Sequence, residues 1–132
     1  MSTAEIARRI DLAASAVHER IRKLEARGVI RGYGVRIDPS ALSLELTAFV
    51  FIKTSDRVGE VSTAQELAKI PQVLEVHHIA GEDCLLLKVR AANNEDLGRL
   101  LRDQMGRIPS VVSSRTTIVL MTVKETSDLP LP

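Results

Sequence analysis

The first part of the chain carries apolar residues at a helical spacing. Val17, Ile21 and Leu24 recur at intervals of four and three residues, which places them on one stripe of an α-helix. Gly28 follows at the position where the end of a helix favours a left-handed residue. This pattern predicts a helix over residues 14–27, with an apolar side that is buried and a polar side that meets solvent.

A shorter helix is predicted before this one. Residues 2–5 (Ser-Thr-Ala-Glu) fit a capping box, in which a hydroxyl and a carboxylate three residues apart each satisfy a free backbone amide. Ile6 and Ile10 then fall on the inner side of a helix that ends near Asp11. Two short helices with a tight break between them, the second polar outside, are typical of a helix-turn-helix. We therefore predict a helix-turn-helix segment over residues 1–34.

Beyond residue 34 the spacing changes from helical to alternating. Val35 and Ile37, followed by an Asp-Pro turn signal, predict a short strand and a linker over residues 35–45. Residues 46–126 then alternate between strand and helix patterns in the order β-α-β-β-α-β, and residues 127–132 form a tail. This order predicts an α+β fold of the ferredoxin-like kind, a four-stranded antiparallel sheet with both helices on one face.

The element boundaries follow from the same patterns. The predicted strands cover residues 46–54, 73–79, 84–90 and 111–123, and the predicted helices cover residues 61–70 and 95–107, the second capped by Asn94. The predicted buried sides of the helices are Ala64, Leu67 and Ala68 in the first and Leu97, Leu100, Leu101 and Ile108 in the second.

The predicted sheet is apolar on both of its faces. In the first strand Val50 and Ile52 alternate with Phe49 and Phe51, and the later strands repeat this alternation of apolar residues. The two helices can cover only one face, so the other must be buried by something else. We predict that the chain associates with copies of itself, at least as a dimer.

Charge is unevenly distributed along the chain. The 132 residues carry a net charge of +1, yet residues 1–36 hold eight basic and four acidic side chains, and residues 37–132 hold ten basic and thirteen acidic ones. A basic head on a mildly acidic body favours contact between the head alone and phosphate. A solvated helix surface would give the same distribution. The charge distribution alone therefore does not indicate DNA binding, and a sequence motif is needed as well.

The remaining composition excludes several classes of protein. Cys84 is the single cysteine, so no internal disulfide forms and nothing indicates secretion. No apolar stretch approaches the roughly 18 residues needed to cross a bilayer. Adjacent His77 and His78 point to opposite faces of a strand, so they cannot share a metal. We predict a cytoplasmic globular protein that is not an enzyme and holds no metal or cofactor.

The second predicted helix has the composition of a recognition helix. Side chains near the N-terminus of such a helix reach base edges in the major groove, whereas basic side chains contact phosphates. A pair of amphipathic helices packed inside another α+β protein is the alternative. The predicted base contacts are Ser15, Ala16, His18 and Glu19, and the predicted phosphate contacts are Arg20, Arg22, Lys23 and Arg27.

Several segments, in the same order, resemble the leucine-responsive regulator/AsnC (feast/famine) family of transcription regulators. The resemblance covers nearly the whole chain, and it implies binding to double-stranded DNA and sheet-to-sheet dimers that assemble further into tetramers or octamers. The segments are residues 7–9 (Ala-Arg-Arg), Leu12, residues 15–25 (Ser-Ala-Val-His-Glu-Arg-Ile-Arg-Lys-Leu-Glu), 28–33 (Gly-Val-Ile-Arg-Gly-Tyr), 38–39 (Asp-Pro), 80–83 (Ala-Gly-Glu-Asp) and 116–120 (Thr-Thr-Ile-Val-Leu).

Two positions depart from the family's pattern. Members normally carry another helix before the one that begins at Ser2, and we expect this sequence to lack it. Ala13 stands where the family usually has a serine cap, and the loss of a cap hydroxyl destabilises a helix by about 1 kcal/mol. Both departures weaken the predicted DNA-binding segment. The missing helix favours an alternative function, that of an effector-binding or oligomerisation module that has lost DNA binding.

The resemblance also implies a free amino acid as effector. In the family, a loop between dimers helps to hold the amino acid, with backbone amides for its carboxylate and an aspartate for its ammonium group. Taken alone, Gly81-Glu82-Asp83 predicts only a hairpin turn. Siroheme decarboxylase subunits resemble the same family, but the chain has only three histidines for such chemistry. The implied effector residues are Ala80, Gly81, Glu82, Asp83 and Cys84, with Ser114 and Thr116 from a facing subunit.

Overall fold

The computed structural model describes residue 5 and residues 14–132, and the chain divides after Ile37 into two compact units. The first unit contains helix α1 (Ala14–Ala26). As predicted, Gly28 ends this helix with a φ of 75°, and the amides of Val29 and Ile30 donate to the carbonyl of Leu24 over 2.9 and 3.2 Å. The predicted first helix and its capping box lie outside the described residues, apart from Glu5.

The predicted strand between the units does not form. Residues 35–45, all of which the structure describes, contain a 3-10 helix at Pro39–Leu42 and no strand. Asp38 begins the 3-10 helix, because its side chain accepts a hydrogen bond of 3.1 Å from the Ser40 amide. Val35 is 85% exposed. A strand needs a neighbour to receive its hydrogen bonds, and the sequence pattern alone does not supply one.

The second unit has the predicted ferredoxin-like fold. Its sheet has the order β2-β3-β1-β4, and all three neighbouring pairs are antiparallel. The last strand ends at Ile118, five residues before the predicted end, although the Val119 amide still donates to the Thr47 carbonyl over 2.9 Å. The elements are β1 (Leu46–Thr54), α2 (Ser62–Ala68), β2 (Val73–His78), β3 (Leu85–Ala91), α3 (Asn94–Arg99) and β4 (Val111–Ile118).

The two helices differ from prediction in detail. Asn93, not Asn94, caps α3: its side chain accepts from the Asp96 amide, and the Asp96 carboxylate accepts from the Ala92 amide, both over 2.9 Å. The arrangement is similar to a capping box, except that the Asp96 carboxylate accepts from Ala92, the residue before the cap, and not from the cap residue itself. The helix continues beyond Arg99 as a π-helix, Leu100–Met105. In α2, Ala68 is exposed and Thr63 is buried in its place.

One face of the sheet, the covered face, carries the core. The side chains of β1 and β3 that point to the helices are almost wholly shielded from solvent, with Val50, Ile52 and Leu87 all at 0% exposure. Leu67 of α2 and Leu97 of α3 pack into the same cluster. The core is therefore aliphatic, in a chain that contains only two Phe, one Tyr and no Trp.

The opposite, open face is less apolar than predicted. Phe49, Phe51 and Leu86 form a partly buried apolar centre on the neighbouring strands β1 and β3. Charged side chains share this face, because the register places them beside that centre. Ile118 pairs with Ala48 and so belongs to the covered side. The ionisable residues that the register assigns to the open face are Lys53, Glu75, His77, Lys88, Arg90 and Arg115.

Candidate DNA-binding and effector sites

Helix α1 has one apolar stripe, buried only at Val17, and one long polar surface. Val17 is 5% exposed, Ile21 is half-buried and Leu24 is 38% exposed, so burial decreases along the predicted stripe. Ser15 lies in the first turn of the helix, where only its backbone is described. The other predicted DNA contacts are all exposed: Ala16, His18, Glu19, Arg20, Arg22, Lys23 and Arg27.

One acidic group on this helix is engaged by a hydrogen bond. The Tyr33 hydroxyl donates to Oε1 of Glu25 over 2.6 Å. This hydrogen bond with the Glu25 carboxylate raises the pKa of Tyr33 above its ordinary value. The bond ties the segment after the helix to its C-terminal half, a contact that the sequence pattern did not indicate.

The predicted effector loop is the turn between β2 and β3. Gly81 adopts a φ of 136°, a conformation that residues with side chains rarely adopt. The Ile79 amide donates to the Cys84 carbonyl and the Cys84 amide donates to the Ile52 carbonyl, each over 3.1 Å. Ala80 and Glu82 are exposed, whereas Asp83 and Cys84 are half-buried. The turn is thus fixed at both ends and open at its tip.

Asp83 has a partner that the sequence did not indicate. Its Oδ2 atom lies 2.9 Å from Nη2 of Arg115, in the middle of β4. The guanidinium carbon of Arg115 lies 4.2 Å from the centre of the Phe51 ring, so the cation rests on an aromatic face. The register pairs Phe51 with Arg115 directly. An arginine next to a pair of serines matches no known sequence motif. The contacts of Arg115 therefore become visible only when the pairing of the strands is known.

Ser114 and Thr116 are not brought to the turn within one chain. Both face the covered side of the sheet, opposite Ile52 and Val50, while Arg115 between them faces the open side. Strand β1 separates β4 from β3, so about 10 Å of sheet lies between the two backbones. Ser114 is exposed and Thr116 is half-buried, so both can meet a group from outside the chain.

A cavity of about 200 Å³ lies beside the turn. Gly81, Cys84 and His78 line one side of it, and Asp56 and Arg57 from the connection between β1 and α2 line the other. Asp56 is partly committed to the fold, because its Oδ2 atom accepts a hydrogen bond of 3.2 Å from the Thr63 amide. The cavity therefore offers charged groups of both signs next to the predicted effector loop.

Comparison with known sequences assigns both units. The profile described as "Winged helix-turn-helix DNA-binding" matches residues 1–31, and that described as "Lrp/AsnC ligand binding domain" matches residues 47–129. The chain is 42% identical over 128 residues to the HTH-type transcriptional regulator FL11 of Pyrococcus horikoshii, covering 96% of this chain and 83% of the relative. It is 39% identical over 120 residues to the HTH-type transcriptional regulator LrpA of Mycobacterium tuberculosis, covering 89% and 77%.

Solved structures agree with this assignment. A feast or famine regulatory protein from M. tuberculosis complexed with L-methionine superposes with a TM-score of 0.86 at 35% identity, over 97% of this chain and 86% of that one. AsnC of Escherichia coli, at 22% identity, shows the same fold with a TM-score of 0.90 over 98% and 87%. A helix-turn-helix unit joined to a ligand-binding α+β unit defines a DNA-binding transcription regulator that responds to a small molecule. The chain belongs to the Lrp/AsnC family.

Two kinds of feature are absent from the described residues. Among residue 5 and residues 14–132, no helix is long and apolar enough to span a membrane. In the same part of the chain, no group of three or more His, Cys, Asp or Glu side chains is placed to hold a metal ion.

Proposed function

We propose that this protein is a sequence-specific transcription regulator that binds DNA through α1, acts in the cytoplasm as a dimer or larger assembly, and responds to a free amino acid. It acts by binding and not as an enzyme. The observation that carries the proposal is the surface of α1, whose polar and basic side chains are exposed while Val17 on the opposite side is buried. The relatives that cover most of the chain are named as transcriptional regulators.

The exposed side chains of α1 suit two different tasks in the major groove. His18 and Glu19 lie in the N-terminal half of the helix, where side chains reach base edges. Arg22 and Lys23 lie further along and suit phosphate contacts, which supply affinity but little sequence information. The proposed base contacts are Ser15, Ala16, His18 and Glu19, and the proposed phosphate contacts are Arg20, Arg22, Lys23 and Arg27.

Fluorescence anisotropy with duplex DNA from the chain's own upstream region tests this division. We expect Arg22→Gln to weaken binding to all sequences alike and to reduce the slope of log affinity against log salt by about one, because one phosphate is no longer neutralised. His18→Ala is expected to weaken specific binding by about 1–3 kcal/mol and to relax the sequence preference at one position. Arg107→Gln, which removes an exposed arginine from the other unit, is the matched control and should leave both unchanged.

A contrary result is well defined. If the wild-type chain gives no salt-sensitive complex with any duplex, including a library of random sequences, it is an effector-binding or oligomerisation module and not a DNA-binding regulator.

We further propose that two copies associate through the open face of the sheet. Its centre, Phe49, Phe51 and Leu86, is only partly buried by the chain's own residues. Apolar side chains grouped on one exposed surface are typical of an interface. A dimer would also present two α1 helices to a palindromic site with half-sites about one helical turn apart.

Sedimentation equilibrium tests the association. We expect the wild-type chain to sediment as a dimer or a multiple of it, and Phe49→Asp to raise the dissociation constant by about a hundredfold, since it would bury an unpaired charge at the interface. Val58→Asp, a substitution at a fully exposed residue in a loop, is the control. A wild-type chain that is monomeric at all concentrations contradicts the proposal.

The amino acid is proposed to bind at the β2–β3 turn. Backbone amides at Ala80, Gly81 and Glu82 suit an α-carboxylate, and the carboxylate of Asp83 beside Cys84 suits an α-ammonium group. Ser114 and Thr116 would come from a facing subunit, because within one chain β1 separates them from the turn. Calorimetric titration with the twenty amino acids, one of them L-methionine, is the test. Binding to wild type that disappears in Asp83→Ala supports the site, and binding that survives in this variant contradicts it.

A further inference from the structure

We propose that Arg115 couples the β2–β3 turn to the surface through which two copies associate. Its guanidinium is shared between Asp83, in the turn, and Phe51, at the centre of the open face. A change at the Asp83 carboxylate therefore alters the association surface directly. This inference rests on the proposed function, which places the interface on the open face.

The geometry gives Arg115 two contacts with different chemistry. The ion pair to Asp83 fixes one end of the guanidinium at 2.9 Å, and the ring of Phe51 supports its flat side at 4.2 Å. Both contacts use one rigid planar group, so the guanidinium cannot turn towards one partner without changing its position over the other. No other element is needed between the turn and the centre of the face.

The ion pair between Asp83 and Arg115 is accessible from solvent. The side chain of Asp83 is 27% exposed and that of Arg115 is 61% exposed, so solvent and ligands reach the pair in a single chain. An ion pair at this exposure contributes little by itself. Once a second copy covers the face, however, the cation of Arg115 is desolvated and needs its counter-ion. Asp83 then supports association by neutralising a charge that lies over Phe51.

A cationic ligand group would compete with Arg115 for the same carboxylate. If an ammonium group binds Asp83, Arg115 loses its counter-ion and remains as an unpaired cation on the open face. The expected consequence is weaker association at that face, with no movement of the backbone required. Arg115 thus acts as a positioning residue between two sites and not as a ligand-binding residue.

A double-mutant cycle on the full chain tests the coupling, with the dimer dissociation constant from sedimentation equilibrium as the measurement. Asp83→Asn should raise the constant by about tenfold, because Arg115 is then buried without its counter-ion. In the Arg115→Gln background the same substitution should have no further effect, because the cation is gone. Arg115→Lys, which keeps the charge, should restore a response to Asp83→Asn.

The matched control is Lys53→Gln. Lys53 is an exposed cation on the same face and strand as Phe51, two residues further along. Removing it changes the charge of the face by the same amount as Arg115→Gln does, so Asp83→Asn should keep its tenfold effect in this background. Thermal unfolding of each variant, measured at one fixed concentration, establishes that all of them are folded.

Three results would overturn the coupling. If the wild-type dimer forms but its dissociation constant is unchanged by Asp83→Asn, the turn and the face are independent. If the effects of Asp83→Asn and Arg115→Gln simply add, Arg115 does not carry the effect. A wild-type chain that never dimerises overturns the coupling together with the proposed interface, and so this outcome is distinct from the other two.

Discussion

The two faces of the sheet differ sharply although they are built from the same strands. The covered face presents only aliphatic side chains at its centre, and three of them, Val50, Ile52 and Leu87, are fully buried. The open face places aromatic and aliphatic side chains beside charged ones. Charged side chains add no stability to a face that packs only against the chain's own helices. On a face that binds a partner, they add specificity for that partner. The comparison separates residues that stabilise the unit from residues that select its partner.

The charges of the open face are largely compensated within the chain. Lys88 forms an ion pair with Glu125, from the segment that follows β4, and its Nζ atom lies 3.7 Å from Oε2 of Glu75. Arg90 donates a hydrogen bond of 3.1 Å to the Leu44 carbonyl. Such pairing lowers the free energy needed to bury the face against a second copy, because the paired ions do not have to be desolvated alone.

The largest expected effect comes from adjacent residues that point to opposite faces. Leu87→Ala should lower the free energy of unfolding by about 2–5 kcal/mol, because it removes methyl groups from a fully packed site and leaves a cavity. Leu86→Ala makes the same chemical change on the open face, and we expect it to lower the free energy of unfolding of the single chain far less than Leu87→Ala does. Urea unfolding at a concentration where the chain is monomeric measures both.

The same pair can contradict the comparison. If Leu86→Ala destabilises the monomer as much as Leu87→Ala does, then the open face is part of the core and the division between stabilising and partner-selecting residues is wrong. The control is that the free energy of unfolding falls with urea concentration at the same slope in both variants. Equal slopes show that both variants expose the same amount of surface on unfolding.

A smaller effect is expected where the covering helix begins. Asn93→Ala removes the side chain that accepts from the Asp96 amide, and loss of a helix cap of this kind costs about 1 kcal/mol. Asn94→Ala is the matched control, because Asn94 lies inside the helix and is exposed. Thermal unfolding should show a lower midpoint for Asn93→Ala only. A lower midpoint for Asn94→Ala alone would show that Asn94, the cap predicted from the sequence, is the residue that caps the helix.

The order of elements and the alternation of apolar residues between the two faces of β1 could be predicted, because both follow from the period of apolar residues. The strand at Val35 and the end of β4 could not, since a strand depends on a neighbour as well as on its own composition. The contact between Asp83 and Arg115 could not be predicted for the same reason. These residues are 32 positions apart, and only the register of β4 on β1 brings them together.

The smallest expected effect concerns the ion pair between Lys88 and Glu125. The hydrogen bond and charge of Lys88 hold the pKa of Glu125 below its ordinary value of 4.5. The folded chain therefore gains stability from this carboxylate above pH 4.5, and the gain is lost as the pH falls through the lowered pKa. Because the Glu125 side chain is 51% exposed, the contribution stays below about 1 kcal/mol.

Titration of the Glu125 carboxyl carbon by NMR should give a higher pKa in Lys88→Met than in wild type, and Lys53→Met should leave it unchanged. If both variants titrate like wild type, then the segment after β4 is not held on the open face by charge, and Lys88 would enter an interface without this counter-ion.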